Sequence, residues 1–232
     1  MAKQKVAAFD AESCHAYLAQ LLAQTELEVS AAELSQLTTL IEMLNTWNAA
    51  LNLTAIKDVK QMVLLHVVDS AVLLPVLKEQ LTYVGSCGEV PQVADVGTGA
   101  GFPGLVLAIL APDVHFTLID SVGKKLSFVR QVVARLDLHN VELINKRCEE
   151  IEHEPFDAIV SRAFAPLERM VSWCLPLLKP DGRFVAMKAN LEPGEIQAIP
   201  ETVTIDVTVK LNVPTLDAMR QAVVLKRAEG QA

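Results

Sequence analysis

The sequence is poor in cysteine, and its cysteines are scattered. Cys14, Cys87, Cys148 and Cys174 lie far apart in 232 residues and form no C-x-x-C pair. That spacing suits neither a zinc site nor a disulfide framework, so a reducing, cytoplasmic setting without a metal is expected. No uninterrupted apolar run reaches the roughly 18 residues of a membrane span. The opening MAKQKVAAFDAES lacks the pattern of a signal peptide. Internal repeats and low-complexity tracts are absent too. Positive charge is short: 20 Lys and Arg stand against 28 Asp and Glu, for a formal net charge of −8. Such a chain does not coat nucleic acid over a wide surface, because phosphate is neutralised by clustered Lys and Arg. The few cations are nevertheless uneven, since five precede Gln92 and fifteen follow it.

Apolar residues, by contrast, make up 51% of the chain, enough for a full core in one large domain or a domain with an appendage. The first 80 or so residues read as helices. Cys14, Tyr17, Leu18, Leu21 and Leu22 share one helical face, and Ser30 with Glu33 makes a capping box ahead of Leu34, Leu37, Ile41, Leu44 and Leu51. Asp58 opens a further helix that is interrupted or ended near Pro75, and the turn formers GSCGEVP follow. From Gln92 the texture changes to short β-rich runs: VADV, HFTLID, VELI, FDAIVS, GRFVAMK, VTIDVTVKL and QAVVLKR. Helical stretches separate most of them, which predicts a doubly wound, mostly parallel α/β sheet with ligands at the C-terminal strand ends. The last two runs have no helix between them and are expected to pair antiparallel at an edge. A division into a helical segment, 1–84, and an α/β domain, 85–232, follows.

The chemistry concentrates in VADVGTGAGFPG, Val93 to Gly104, placed between a strand and an apolar helix. Gly99, Gly101 and Gly104 form G-x-G-x-x-G, the dinucleotide fingerprint. Asp95, Gly97, Gly99 and Gly101 form D-x-G-x-G-x-G, the loop of S-adenosylmethionine enzymes. Under the second template the three glycines admit the cofactor and Asp95 accepts its ammonium. Asp120, ending the second strand, suits ribose hydroxyls under either template. The long helical lead-in, the L-K-P-D-G turn at Leu178 to Gly182 and the closing antiparallel pair favour the methyltransferase.

The sequence resembles the ribosomal RNA small subunit methyltransferase G family, also called glucose-inhibited division protein B. The likeness is carried by W-N-A-A-L-N-L-T (Trp47 to Thr54), H-V-V-D-S (His66 to Ser70) and D-V-G-T-G-A-G-F-P-G (Asp95 to Gly104). It continues through L-I-D-S-V-G-K-K (Leu118 to Lys125), R-C-E-E (Arg147 to Glu150), S-R-A-F-A (Ser161 to Ala165) and Gly182 to Lys188. It implies a seven-stranded class I S-adenosylmethionine-dependent methyltransferase with an N-terminal helical extension. The implied reaction is methylation of N7 of a guanine in 16S ribosomal RNA, within the small ribosomal subunit or an assembly intermediate, with no membrane or metal involved. Leu65, Ala189 and Gln221 depart from residues the family often has at those places, namely Arg, Gly and His.

By the same resemblance, Cys148 contacts the adenine through its backbone and Glu149 through its carboxylate. Phe102 forms a cofactor wall (a helix-start staple is the competing reading) and Arg162 belongs to the cofactor site, with RNA also within its reach. Asn52, Thr54, His66, Asp69, Ser70 and Lys188 are implied at the active-site mouth. Phe164 is read as core packing, with stacking on the target base as the alternative. Lys124, Lys125 and Arg130 are expected to meet phosphates. Guanine N7 carries a lone pair and no proton at neutral pH, so no general base is needed, and FDAIVSRAFAP lacks both the N-P-P-Y motif of amine methylation and a nucleophilic cysteine. Two rivals remain at this point, a nicotinamide-dependent oxidoreductase using Gly99, Gly101 and Gly104, and a non-catalytic ribosome-binding module.

Overall fold

The structure, a computed structural model, describes residues 9–84 and 88–228. Cys87 and the start of the Gly85 turn run lie outside the described residues, as do Lys3 and Lys5. Helix α1 spans Ala11–Leu22 and is capped by Asp10, whose carboxylate accepts from Ser13 N. Helix α2, Ala31–Leu51, opens on the expected capping box and ends on Asn52 in the left-handed conformation.

Asp58 caps a third helical run, Val59–Tyr83, that departs from regular α geometry. Residues Val63–Val68 form a π-helical segment, and the helix breaks at Val72 and Leu73 before restarting with Pro75 in its first turn. By length and composition this run passes for a membrane span, but 61% of its most apolar window is buried inside the fold. Lys, His, Asp and Ser interrupt it, which is why uninterrupted apolar runs miss it.

Seven strands follow: β1 (Gln92–Val96), β2 (His115–Ile119), β3 (Val141–Ile144), β4 (Phe156–Arg162), β5 (Leu178–Lys188), β6 (Val203–Lys210) and β7 (Gln221–Arg227). They form one sheet in the order β3-β2-β1-β4-β5-β7-β6. β1 to β5 are parallel, and β7 inserts antiparallel between β5 and the edge strand β6. The order reverses direction at β1, so the C-terminal ends of β1 and β4 diverge there and open a crevice.

One expected turn is absent. L-K-P-D-G lies within β5 as a bulge, the register jumping from Phe156↔Leu178 to Ala158↔Arg183. Pro180 has no N–H to give a ladder, and Lys179 instead reaches the buried Asp157 at 2.8 Å. Alternation along β4 packs Ala158 and Val160 to one face and Ile159 to the other, and the irregularity between Phe156 and Ala158 lets Phe156 join the Ile159 side. The first face is shared: Leu18, Leu37, Leu44 and Leu77 from the helical segment lie in one contiguous core with Val93, Val160 and Val224.

Candidate active site

The glycine loop leaves β1 with Gly97, Gly99 and Gly101 all at positive φ (69°, 62° and 90°). The first and last are also sterically committed. A Cβ at Gly97 would collide with the Phe164 ring, and one at Gly101 with Leu105. A Cβ at Gly99 would make only ordinary contacts, with Gly97 O and Lys125 Nζ at 3.9 Å, so its requirement is conformational.

A cavity of about 320 Å³ opens at the C-terminal strand ends. Gly97, Asp120, Cys148 and Glu149 line it, with Phe164 and Trp173 as aromatic walls and Lys125, Lys146 and Arg147 on its basic side. Asp120 Oδ2 accepts from Gly99 N at 2.9 Å and Oδ1 from Val122 N at 2.7 Å. Each oxygen keeps a lone pair for a hydroxyl. Asn145 fixes the same strand end by donating to Asp120 O at 2.8 Å. Glu149 accepts from its own N–H and from the Cys148 thiol, which hold its carboxyl below the usual range. A hydrogen bond with Cys148, reinforced by burial, pushes the Cys174 thiol far up.

Asp95 is placed elsewhere. It is fully buried on the sheet face beneath the helix Gly104–Leu110, and its Oδ2 accepts from Thr98 Oγ1 at 2.6 Å and Gly104 N at 2.8 Å. It does not line the cavity; it ties the loop to the helix start. Burial pushes its carboxyl up to about 6 despite those two donors. The arrangement also removes the oxidoreductase reading. A pyrophosphate would need the N–H groups at the start of that helix, but Gly104 N is taken by the buried Asp95 carboxylate and Leu105, Val106 and Leu107 N by the carbonyls of Gly101 and Pro103.

Beside the cavity lies a second constellation built on the π-helical segment. Arg162, at the end of β4, donates through Nη1 to Leu65 O at 2.8 Å and to Asp69 Oδ2 at 3.1 Å. Its Nη2 lies 3.3 Å from His66 Nδ1. A guanidinium only donates, so Nδ1 must accept, and the ring proton sits on Nε2, 3.0 Å from Thr54 Oγ1. Burial, with Arg162 adding to it, pushes His66 down to about 3, so the ring stays neutral. It stacks on Phe102 at 4.8 Å between centroids, with the Arg162 guanidinium 5.6 Å from the same ring.

Asp69 Oδ1 takes a second guanidinium, Arg220 Nε, at 2.9 Å. Ser70 turns back to donate to His66 O at 2.5 Å, the i−4 bond that serine makes in helices. Buried Asn48 closes the adjoining loop by bonding Ile56 O and Thr54 N.

The expected site residues thus fall into two groups. Gly97, Asp120, Cys148 and Glu149 meet at the cavity, whereas Arg162, Phe102, His66, Asp69, Thr54 and Ser70 meet beside it. Asn52 is exposed at the α2 cap and makes no side-chain hydrogen bond among the described residues. Lys188 binds Ala165 O and Glu195 on the far side of Phe164. Sequence reasoning passed over Arg220, Asn48, Trp173 and Glu195. Only Asn48 carried a visible signal, since it stands within the matched W-N-A-A-L-N-L-T stretch. No cluster of three or more His, Cys, Asp or Glu able to hold a metal occurs among the described residues.

A family model described as rRNA small subunit methyltransferase G matches residues 33–224. The ribosomal RNA small subunit methyltransferase G of Photorhabdus laumondii is 44% identical over 208 residues, covering 89% of this chain and 96% of the relative. Its counterpart in Yersinia pseudotuberculosis is 45% identical over 193 residues, 82% of this chain and 88% of the relative. A solved S-adenosylmethionine-dependent methyltransferase from Aquifex aeolicus superposes with a TM-score of 0.50 at 18% identity, over 71% of this chain and 92% of its own, and shares the fold.

Proposed function

The chain belongs to the rRNA small subunit methyltransferase G family, and on that premise we propose that it methylates N7 of a guanine in 16S ribosomal RNA, using S-adenosylmethionine. The observation that carries this reading is the cavity at the crevice of the sheet. Gly97 presents bare backbone to it, and Asp120 offers two oriented carboxylate oxygens at its wall. These residues fit the cofactor: Asp120 would hold the ribose hydroxyls, Cys148 and Glu149 would border the adenine, and Gly97, whose missing side chain makes way for the Phe164 ring, would turn its backbone to the methionine portion. When bound, the cofactor would supply an electrophilic methyl on a sulfonium sulfur; its transfer to N7 would leave the C–S electron pair on sulfur, release no proton and give the purine one positive charge.

The chain's own work is therefore alignment and exclusion of water rather than proton transfer. Holding reactants at near-attack geometry contributes roughly 7–11 kcal/mol. His66 is unsuited to be a base, because its accepting nitrogen is engaged by Arg162. Lys125, Lys146 and Arg147, which have no phosphate to meet on the cofactor, border the cavity where the RNA backbone would pass. We place the reaction in the cytoplasm, on the small subunit or an assembly intermediate. Tritiated methyl incorporation into naked 16S RNA and into small subunits tests this. Label recovered as 7-methylguanosine, greater from subunits, is expected. No label in either would end the reading.

A further inference from the structure

We propose that Glu195 accepts hydrogen bonds from the N1–H and N2–H edge of the target guanine. The inference rests on the function proposed above and adds to it the residue that reads the base.

A second cavity, of about 520 Å³, adjoins the cofactor cavity, and the two share Ala163 and Phe164 where they meet. It lies at the C-terminal ends of β4 and β5, between the 163–166 loop and the segment after Lys188. A base seated across this junction lies against the Phe164 ring with N7 turned to the cofactor cavity and its opposite edge turned to the second cavity. Phe164 is only partly buried and stands against Trp173 at 5.9 Å in an edge arrangement, so it is braced while one side stays free.

Glu195 is the fixed polar group of this cavity. Its Oε1 is held twice, by Lys188 Nζ at 2.5 Å and by Leu167 N at 2.9 Å. Its Oε2 makes no hydrogen bond among the described residues, and the side chain retains 19% exposure. Partial burial works to raise this carboxyl, but Lys188 and Leu167 outweigh it and hold it below the usual range. The carboxylate is thus ionised, with one oxygen anchored and the other available. The two other carboxylates on the wall, Glu168 and Glu192, oppose phosphate, so the occupant must bring donors. Guanine does so at N1 and N2, across the base from N7. Adenine presents an acceptor at N1 and a C–H at C2, which a carboxylate disfavours. The same oxygen gains strength as the reaction proceeds: methylation at N7 makes the purine cationic and its N1–H more acidic. Glu195 therefore holds the methylated base more tightly than the unmethylated one, an interaction of the kind that lowers a barrier.

The test compares cofactor-free protein binding to small subunits isolated from cells lacking the enzyme and from cells containing it. Wild type should bind the methylated subunits roughly 5- to 10-fold more tightly, the difference between a neutral and a charged hydrogen-bond donor. Glu195→Gln should erase that ratio. It should also lower the single-turnover rate roughly 10- to 150-fold, while affinity for S-adenosylhomocysteine stays within about twofold. A wild-type rate or an unchanged ratio in the variant overturns the proposal. Equal binding of both subunits by wild type overturns it as well, whether or not the variant folds. Wild type that methylates no guanine N7 in small-subunit RNA overturns the underlying function instead, and that result is read before any variant is made.

Discussion

Protonation of His66 is the perturbation that most directly tests the network beside the cofactor cavity. Arg162 claims Nδ1 and Thr54 takes the Nε2 proton, so the folded ring has no place for a second proton until about pH 3. In the unfolded chain the same ring titrates at about 6.5. The folded state thus binds fewer protons than the unfolded state between those values, and stability falls as pH falls. The His66 contribution is complete above about pH 6.5 and is lost progressively down to about 3. Between pH 7 and 5, protonation of the unfolded histidine alone removes about 2 kcal/mol. Urea unfolding of wild type and His66→Gln at both pH values isolates the term, because other titrating groups, Asp95 included, are common to the two proteins. Wild type should lose about 2 kcal/mol more than the variant over this interval. Catalysis should follow suit: His66→Gln should slow single turnover modestly, through positioning, without changing the shape of the pH profile. Equal pH dependence of stability in both proteins would mean that His66 is free to protonate when folded. A kinetic limb near pH 6.5 that disappears in the variant would mean that a proton is being removed and that N7 is the wrong acceptor.

Asp120→Ala should weaken S-adenosylhomocysteine binding by about 1.5–3 kcal/mol for each hydroxyl bond lost, and calorimetry showing unchanged affinity in a folded variant would remove Asp120 from the site. Asp69→Asn should destabilise the protein by about 2–3 kcal/mol, or roughly 4–12 °C in Tm. The estimate sits at or below the low end of the range for a broken buried pair because the Arg162 and Arg220 side chains keep 18% and 22% exposure; a loss under about 1 kcal/mol would show that the two arginines do not depend on it. RNA binding should weaken as salt rises and the slope should shallow on replacing Lys125, Lys146 and Arg147, whereas a flat titration would leave those residues as solvated surface.

Local patterns carried most of the fold. Ser30 with Glu33, Asp58 before its helix and the seven β-rich runs each state their structure within a few residues, and the glycine loop announces its backbone by composition. What remained hidden depends on direction or distance. Asp95 shares strand parity with Val93, so it points under the helix at Gly104 rather than toward the cofactor. Arg162 ends a strand, and nothing nearby distinguishes a guanidinium turned to a cofactor from one turned to Leu65, 97 positions earlier. The π-helical turn at His66 leaves no mark on an apolar periodicity. L-K-P-D-G has the composition of a turn, and only its pairing with β4 makes it a bulge. Glu195 reads as one more surface charge until Lys188 and Leu167 are seen to hold it.

The grip of Asp69 on Arg220 also sets a clock on synthesis. The two residues are 151 positions apart, and at about 5–20 residues per second the ribosome makes the carboxylate roughly 8–30 s before its second guanidinium. The apolar faces of the first three helices emerge well ahead of β4 and β7, the strands whose inner residues share their core. The helices must therefore wait, in contact with one another, for the far end of the chain. Truncation before Arg220 leaves Asp69 half-paired and that helical layer uncovered on one side, so a nascent chain stalled there should be the species that chaperones and proteases recognise.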